Sequence, residues 1–473
     1  MQKTRHSTNT NWKTDDTRLS ITETDSVYEI TGGIALHGEV RISGSKNAAL
    51  PLLAATLLAD QPIQLDNLPA ITDISLLLNC LKAIGKQWVY IGDNSVQITH
   101  KPLLEPHIPA EFASKIRGSI VLLGPLLARC PKVILPLPGG CAIGKRPVDL
   151  HIMALKALGA DIIEEGNYLI CTRQTGRLKG NTIHFKEKTV TGTENAIMAA
   201  SLADGETCIQ NAAREPEVVA LADFLNQLGA NIKGAGTDAI TIIGVEKLNG
   251  CSQYPIIPDR IEAGTFLIAA AITQGCITIK DVNPQHLTTI LKLLLEAGAE
   301  IQCGTDSIKI NMQHVKSAAF NIVTQPFPGF PTDLQSLCLS LATIADGQSV
   351  LCETLFESRF QIVEELLKMG AKITIEENTA RITGVQQLKA ARVKATDLRS
   401  GAALVCAGLA AQGTTQISGI HLIERGYEDL IRKLTALGAQ IQRIDLPHCP
   451  RFFTPIQNNN TTNNATNHLT SQM

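Results

Sequence analysis

A chain of 473 residues is too long for one ordinary hydrophobic core, so two or more globular units are expected. Lys and Arg number 42 against 44 Asp and Glu, a balance that gives no electrostatic basis for binding nucleic acid or an anionic membrane. The longest apolar runs, such as "SIVLLGPLLA", fall far short of the ~20 residues that span a bilayer, so no membrane insertion is expected and any anionic ligand must be met by local cations.

Residues 1–26 are polar without periodicity and lack the apolar stretch of a secretory signal, which predicts a disordered extension on a cytoplasmic protein. Strand signals follow in "YEITGGIALHGEVRISG", and residues 27–45 are expected to complete a later domain. In "GSKNAALPLL", Lys46 and Asn47 stand at the mouth of an apolar helix. Unpaired N–H groups and an ammonium there would suit an anion, although Ser-x-x-Asn is also ordinary capping. Residues 46–257 are expected to form the first domain. It contains Arg117 in "SKIRGSIVLL" and the stretch "LPLPGGCAIGKRPVDLH", where Cys141 lies among Gly139, Gly140 and Gly144 and is followed by Lys145 and Arg146. A thiol beside cations is a candidate nucleophile or proton donor; a surface turn with an incidental cysteine is the simpler alternative.

A run "CSQYPIIPDR" reads as the strand leading into the second domain, residues 258–445. Arg359 in "FESRF", Arg399 in "ATDLRSGAALV" and Arg425 in "ERGYEDL" occupy corresponding places there, in otherwise apolar surroundings. Asp333 in "FPTDLQ" and Asp397 in "ATDLRS" each follow a Thr at a predicted helix start, where an N-cap is the simpler role for either one. The Asn/Thr-rich tail, 446–473, is expected to be disordered.

A repeat orders these pieces. Amphipathic helices ending in "AIG", "ALG", "QLG", "EAG", "KMG" and "ALG" place glycines at 85, 159, 229, 298, 370 and 438, spaced by 74, 70, 69, 72 and 68 residues, each expected to be followed by a hairpin. Between them recur Ala/Leu-rich helices apolar nearly all round, which must be interior. The fold class expected is α/β, two domains of three βαβαββ units each, barrel-like and inside out, with buried helices and a cleft between the domains. The twelve cysteines show no paired spacing, and there is no metal-ligand cluster or dinucleotide fingerprint, so neither metal nor organic cofactor is expected.

With the thiol loop, "SGSKNAALP", "TGTEN", "NAAREPE", "FPTDLQ", "FESRF", "ATDLRSGAALV" and "ERGYEDL" in this order, the chain resembles the enolpyruvyl transferase family from about Tyr28 to Arg443, in the branch that acts on UDP-N-acetylglucosamine. The resemblance implies transfer of the enolpyruvyl group of phosphoenolpyruvate to the 3′-hydroxyl of UDP-N-acetylglucosamine through a tetrahedral intermediate, with release of phosphate, at the start of peptidoglycan precursor synthesis. It further implies that Cys141 protonates the methylene carbon of phosphoenolpyruvate and is alkylated by fosfomycin. By the same resemblance Lys46 meets the phosphate and carboxylate, Asn47 the sugar nucleotide, and Arg117, Arg146 and Arg425 clamp the small anion. Asp333 takes the hydroxyl proton, Asp397 and Arg399 complete the cleft, and Arg359 is linked to closure. Arg146, Pro147, Val148, Asp149 and Leu150, with Lys188, Val190, Gly192 and Leu355, hold the uridine and diphosphate. The sister reaction on shikimate 3-phosphate and an inactive scaffold on the same fold are the alternatives.

Overall fold

The computed structural model describes residues 26–100, 106–139, 143–144, 147–174 and 176–445. The six spaced glycines punctuate the chain as the repeat predicts. Helices Thr72–Ala83, Asp149–Ala157, Pro216–Gln227, Thr288–Glu296, Ile362–Lys368 and Leu430–Ala436 stop just before them, and the glycines take φ between +85° and +104°. That left-handed region carries a Cβ penalty, so glycine is the residue that turns each helix into the following strand.

Among the described residues the strands form six sheets, five of four strands and one of three. Five are built on an antiparallel hairpin, such as Lys86–Gly92 with Ser95–His100 or Lys372–Glu376 with Thr379–Thr383. In most, a further strand lies parallel at the far edge. The three-stranded sheet has only a rudiment of it, the bridge His107 to Ile134.

Three sheets are completed by strands from distant parts of the chain. Ser26–Thr31 pairs antiparallel with both Thr414–Ser418 and Gln440–Asp445, supplying the hairpin strand missing after Gly438. His37–Arg41 runs parallel to Cys276–Lys280 and so occupies the lead position of the fourth unit. The run Cys251–Pro255, read from sequence as that lead strand, pairs instead with Ile63–Asp66 of the first unit. The chain therefore crosses twice between the two halves, and the crossings lie side by side: Ser45 N–H donates to Ile257 O at 2.7 Å and Asp259 N–H to Ser43 O at 2.9 Å.

Two separate cores result. One gathers buried side chains from Ala48 to Ile256 around helices Lys46–Ala55, Leu123–Arg129 and Val190–Ala200. The other joins Tyr28–Ile42 to residues from Ile261 to Ile441 around helices Arg260–Ile272, Gln335–Ala342 and Leu398–Ala410. Every residue of Arg260–Ile272 and Gln335–Ala342 is buried, as helices apolar on all sides require. Close helix contact needs small residues: a Cβ on Gly264 would lie 2.8 Å from Leu334 Cδ1. Because each central helix is sheathed along its length, only its ends can reach solvent. The starts of these helices at the seam between the cores are therefore where polar chemistry can sit. Among the described residues no helix is long and apolar enough to cross a membrane.

Candidate active site

Lys46 is the first residue of its helix, with Ser45 as N-cap accepting from Ala48 N–H at 3.3 Å. Its own N–H donates across the seam to Asp259 Oδ2 at 3.1 Å. Two first-turn amides that sequence reading offered to an anion are thus taken by protein groups. Lys46 Nζ lies 3.3 Å from Asp73 Oδ2, while Arg425 Nε, from the other half of the molecule, lies 2.8 Å from Asp73 Oδ1. Asn47 stands beside Lys46, half-buried.

Opposite, Asp333 occupies the 3-10 turn Thr332–Leu334 that feeds helix Gln335–Ala342. Arg359 Nη2 reaches its Oδ1 at 2.6 Å and Arg399 Nη2 its Oδ2 at 2.9 Å, so both oxygens are held. Burial by itself would push this carboxyl up, but Arg399, Arg359 and Lys46 outweigh it and hold Asp333 well below the usual carboxylate range. Arg359 also donates to Thr332 Oγ1 at 3.2 Å and lies 3.7 Å from Asp397 Oδ1. Asp397 is itself the N-cap of Leu398–Ala410 in a capping box with Ser400. The capping role that sequence reading weighed for both aspartates is found for Asp397; Asp333 is bound by arginines. Arg399 Nη1 meets the Tyr427 hydroxyl at 3.3 Å, and that hydroxyl shares a 2.8 Å hydrogen bond with Thr265. Burial pushes the Tyr427 phenol up to about 12, so it is a neutral partner. The buried Arg399 Nε has no acceptor among the described residues.

Cys141, Arg146 and Lys145 lie outside the described residues. Their flanks are described. Arg117, at the start of the turn Arg117–Leu122, donates to Pro138 O at 3.4 Å and to Pro147 O at 3.3 Å, bridging the two ends of the thiol loop. Ile143 and Gly144 rest on the other half: Ser358 N–H donates to Ile143 O at 3.1 Å, and a Cβ on Gly144 would collide with Glu357 Oε2.

The remaining candidates, all but Leu355, lie near helix starts of the first half. Val148 is buried, Asp149 and Leu150 open helix Asp149–Ala157, and Val190 and Gly192 form the first turn of Val190–Ala200 under the Thr189 cap. Lys188 precedes that cap and is engaged by Asp238 and by Ala212 O, the latter at 3.0 Å. His151 is a satisfied interior histidine between Thr191 and Asn195, at 3.1 and 2.8 Å. Leu355, 39% exposed, sits in a turn fixed by Glu353, which accepts from Leu355 N–H at 2.8 Å and from Thr332 Oγ1 at 2.8 Å. This turn lines a cavity of about 490 Å³ with Phe356, Phe360 and Asn378.

Sequence reading missed Asp73, Asp259, Thr265, Glu353 and Tyr427. Asp73 in "TDISLLL" reads as an ordinary first-turn acid, Asp259 sits in the quoted "CSQYPIIPDR" where an aspartate before a helix signals a cap, Tyr427 lies inside the "ERGYEDL" motif, and Thr265 and Glu353 carry no local signal.

Comparison with known proteins places the chain as a whole. The family described as EPSP synthase (3-phosphoshikimate 1-carboxyvinyltransferase) matches residues 30–434. A protein of Legionella pneumophila (strain Lens) named UDP-N-acetylglucosamine 1-carboxyvinyltransferase 1 is 60% identical over 422 residues, covering 89% of this chain and 83% of that protein. The enolpyruvyl transferase NikO from Streptomyces tendae superposes with a TM-score of 0.80 at 25% identity, over 90% of this chain and all of that one. An EPSP synthase from Acinetobacter baumannii shares the fold, with a TM-score of 0.69 at 19% identity over 89% of this chain and all of that one.

Proposed function

The chain belongs to the EPSP synthase family of enolpyruvyl transferases, and we propose that it moves the enolpyruvyl group of phosphoenolpyruvate to the 3′-hydroxyl of UDP-N-acetylglucosamine and releases phosphate. The observation that carries the choice of acceptor is the 60% identity, along nearly the whole chain, to a relative named for that reaction. We place the activity in the cytoplasm, at the head of peptidoglycan precursor synthesis.

The geometry supports a division of labour. Lys46 and Arg425 converge on one point from the two halves, and with Arg117 and Arg146 they supply the cations that a phosphate and a carboxylate need. Asn47, the segment Arg146–Leu150, Lys188, Val190, Gly192 and Leu355 are assigned to the sugar nucleotide. In the addition step Cys141 gives its proton to the methylene carbon, and the charge that develops at the neighbouring carbon is met by the 3′-oxygen. An ordinary thiol titrates near 8.5, so it carries that proton at neutral pH.

Asp333 receives the hydroxyl proton. A carboxylate held by two arginines is a weak base, but a hydroxyl bonding to an electron-poor carbon becomes a strong acid as the C–O bond forms, so a weak base suffices late in the step. Elimination then returns a methyl proton to the Cys141 thiolate and expels phosphate, and the hydroxyl proton held by Asp333 leaves with the phosphate, which balances every atom. Asp397 and Arg399 keep Asp333 oriented, and Arg359 ties it to the turn carrying Leu355. Fosfomycin is expected to alkylate Cys141.

Phosphate release should be measured with phosphoenolpyruvate and either UDP-N-acetylglucosamine or shikimate 3-phosphate, alongside Cys141→Ala. Release with the sugar nucleotide alone, lost in the variant, supports the reading. Release with shikimate 3-phosphate overturns the acceptor, and release with neither overturns the activity.

A further inference from the structure

Lys46 and Arg425 come from opposite halves of the molecule, yet both side chains end on the same carboxylate. Asp73 is 3% exposed, so this is not the solvated first-turn acid its sequence position suggests. A helix dipole would be served equally well by a side chain facing water. Instead the carboxylate is turned into the seam, with one oxygen on each cation.

Two cations a few ångströms apart in a poorly hydrated seam repel strongly, so a shared counter-charge lowers the cost of holding them together. Lysine is the more mobile of the two, with four rotatable bonds and a point charge. Here it is fixed at both ends, since Asp259 of the other half accepts from its backbone N–H at 3.1 Å and Asp73 accepts from its Nζ at 3.3 Å.

We propose that Asp73 is a positioning residue for phosphoenolpyruvate: it gathers Lys46 and Arg425 from the two halves into one anion-binding pair before the substrate arrives. The inference rests on the enolpyruvyl transfer reading and names a residue outside the set that reading uses. Asp73 touches neither reacting carbon; it acts through the two cations. Preorganisation of this kind removes the cost of collecting charged side chains at the moment of binding.

The direction of the effect separates this role from its opposite. If Asp73 merely competed with the substrate for the two cations, removing its charge would tighten phosphoenolpyruvate binding. If it positions them, removal must loosen it.

The test is steady-state kinetics of Asp73→Asn and Asp73→Glu, with the KM for each substrate and kcat determined separately. Asp73→Asn is expected to raise the KM for phosphoenolpyruvate about tenfold or more, with the KM for UDP-N-acetylglucosamine within about twofold of wild type. Asp73→Glu should recover part of the loss. A double-mutant cycle with Arg425→Gln provides the second readout, because a residue acting through Arg425 loses most of its effect once that arginine is gone. Loss of kcat alone, as misfolding gives through a smaller active fraction, contradicts the proposal. So does an unchanged or lowered KM for phosphoenolpyruvate, or full additivity in the cycle. If wild type works with shikimate 3-phosphate instead, the same KM still tests Asp73. If wild type neither turns over nor binds phosphoenolpyruvate in calorimetry, the functional reading falls and this inference with it.

Discussion

The two halves of the molecule share a scaffold and differ in charge. Each surrounds three buried helices with three sheets, and the starts of Lys46–Ala55 and Arg260–Ile272 meet at the seam. In the first half the starts carry cations: Lys46 opens Lys46–Ala55, Arg117 opens the turn leading into Leu123–Arg129, and Lys188 precedes the cap of Val190–Ala200. In the second half they carry aspartates: Asp259 and Asp397 cap Arg260–Ile272 and Leu398–Ala410, and Asp333 leads into Gln335–Ala342. On the proposed function, a symmetric fold sets an anion-binding wall, built on the first half and completed by Arg425 of the second, against a proton-accepting wall on the second half. The difference is made by a few side chains at the only places where a sheathed helix meets water.

The walls also differ in how their charges are kept. Asp333 is locked by two buried arginines, Arg359 and Arg399, each 3% exposed at the side chain. Leaving one member of such a set unpaired costs ~3–5 kcal/mol, which fixes the base wall in one arrangement. Lys46 and Arg425 instead share the single carboxylate of Asp73, one oxygen to each cation.

The sharpest way to break the comparison is Asp333→Asn. It should lower kcat by about 10²–10⁴-fold in a phosphate-release assay, while UDP-N-acetylglucosamine binding, read by calorimetry, stays within several-fold. The substitution also removes a carboxylate whose folded pKa is depressed. Such a group stabilises the fold at every pH above its unfolded value near 3.9, and the contribution is lost as pH falls through the lower folded value. The stability gap between wild type and Asp333→Asn in urea melts should therefore be constant from pH 8 to about 5 and narrow below about 4. A gap that widened on acidification would contradict the arginine clamp.

Arg359→Lys comes next in size. A lysine cannot reproduce the fork that reaches Thr332 and Asp333 together, so kcat/KM should fall about tenfold. The Asp333 carboxyl should move up towards its ordinary range, so the acid limb of the pH–rate profile should shift to higher pH than in wild type. An unshifted limb would mean that Arg399 and Lys46 alone hold the carboxylate down.

The smallest effect tests the symmetry. Gly159 and Gly370 are repeat-equivalent, one in each half, with φ of +90° and +85° and open space where a Cβ would go. Alanine at either should cost about 1–2 kcal/mol in chemical denaturation, the same in both halves, with unchanged kcat. Unequal costs or altered turnover would show that the halves differ in scaffold as well as in charge.

Much of this was legible in the chain. The six glycines announced the repeat because a helix that must reverse into a strand needs a left-handed residue at a fixed place, a local demand that leaves a local mark. The buried helices were equally plain from their lack of a polar face. The partner of Cys251–Pro255 was not, because a strand's neighbour is set by where the chain crosses between the halves, and no residue in the run encodes that. The same limit hid Asp73. Its two partners lie 27 and 352 residues away, and nothing in "TDISLLL" distinguishes a carboxylate that clamps two cations from one that faces water. Asp333 and Arg399 were found through a whole pattern of motifs; their mutual grip emerged only from the geometry.

The most direct test of the division between the walls is a side-by-side measurement of kcat and the KM for phosphoenolpyruvate in Lys46→Gln and Asp333→Asn. The expected result is a split: Lys46→Gln raises the KM at least tenfold, whereas Asp333→Asn lowers kcat by two orders of magnitude or more with the KM little changed. The reverse pattern, or equal losses of both parameters in both variants, would contradict the division between a Lys46 that binds the anion and an Asp333 that accepts the proton.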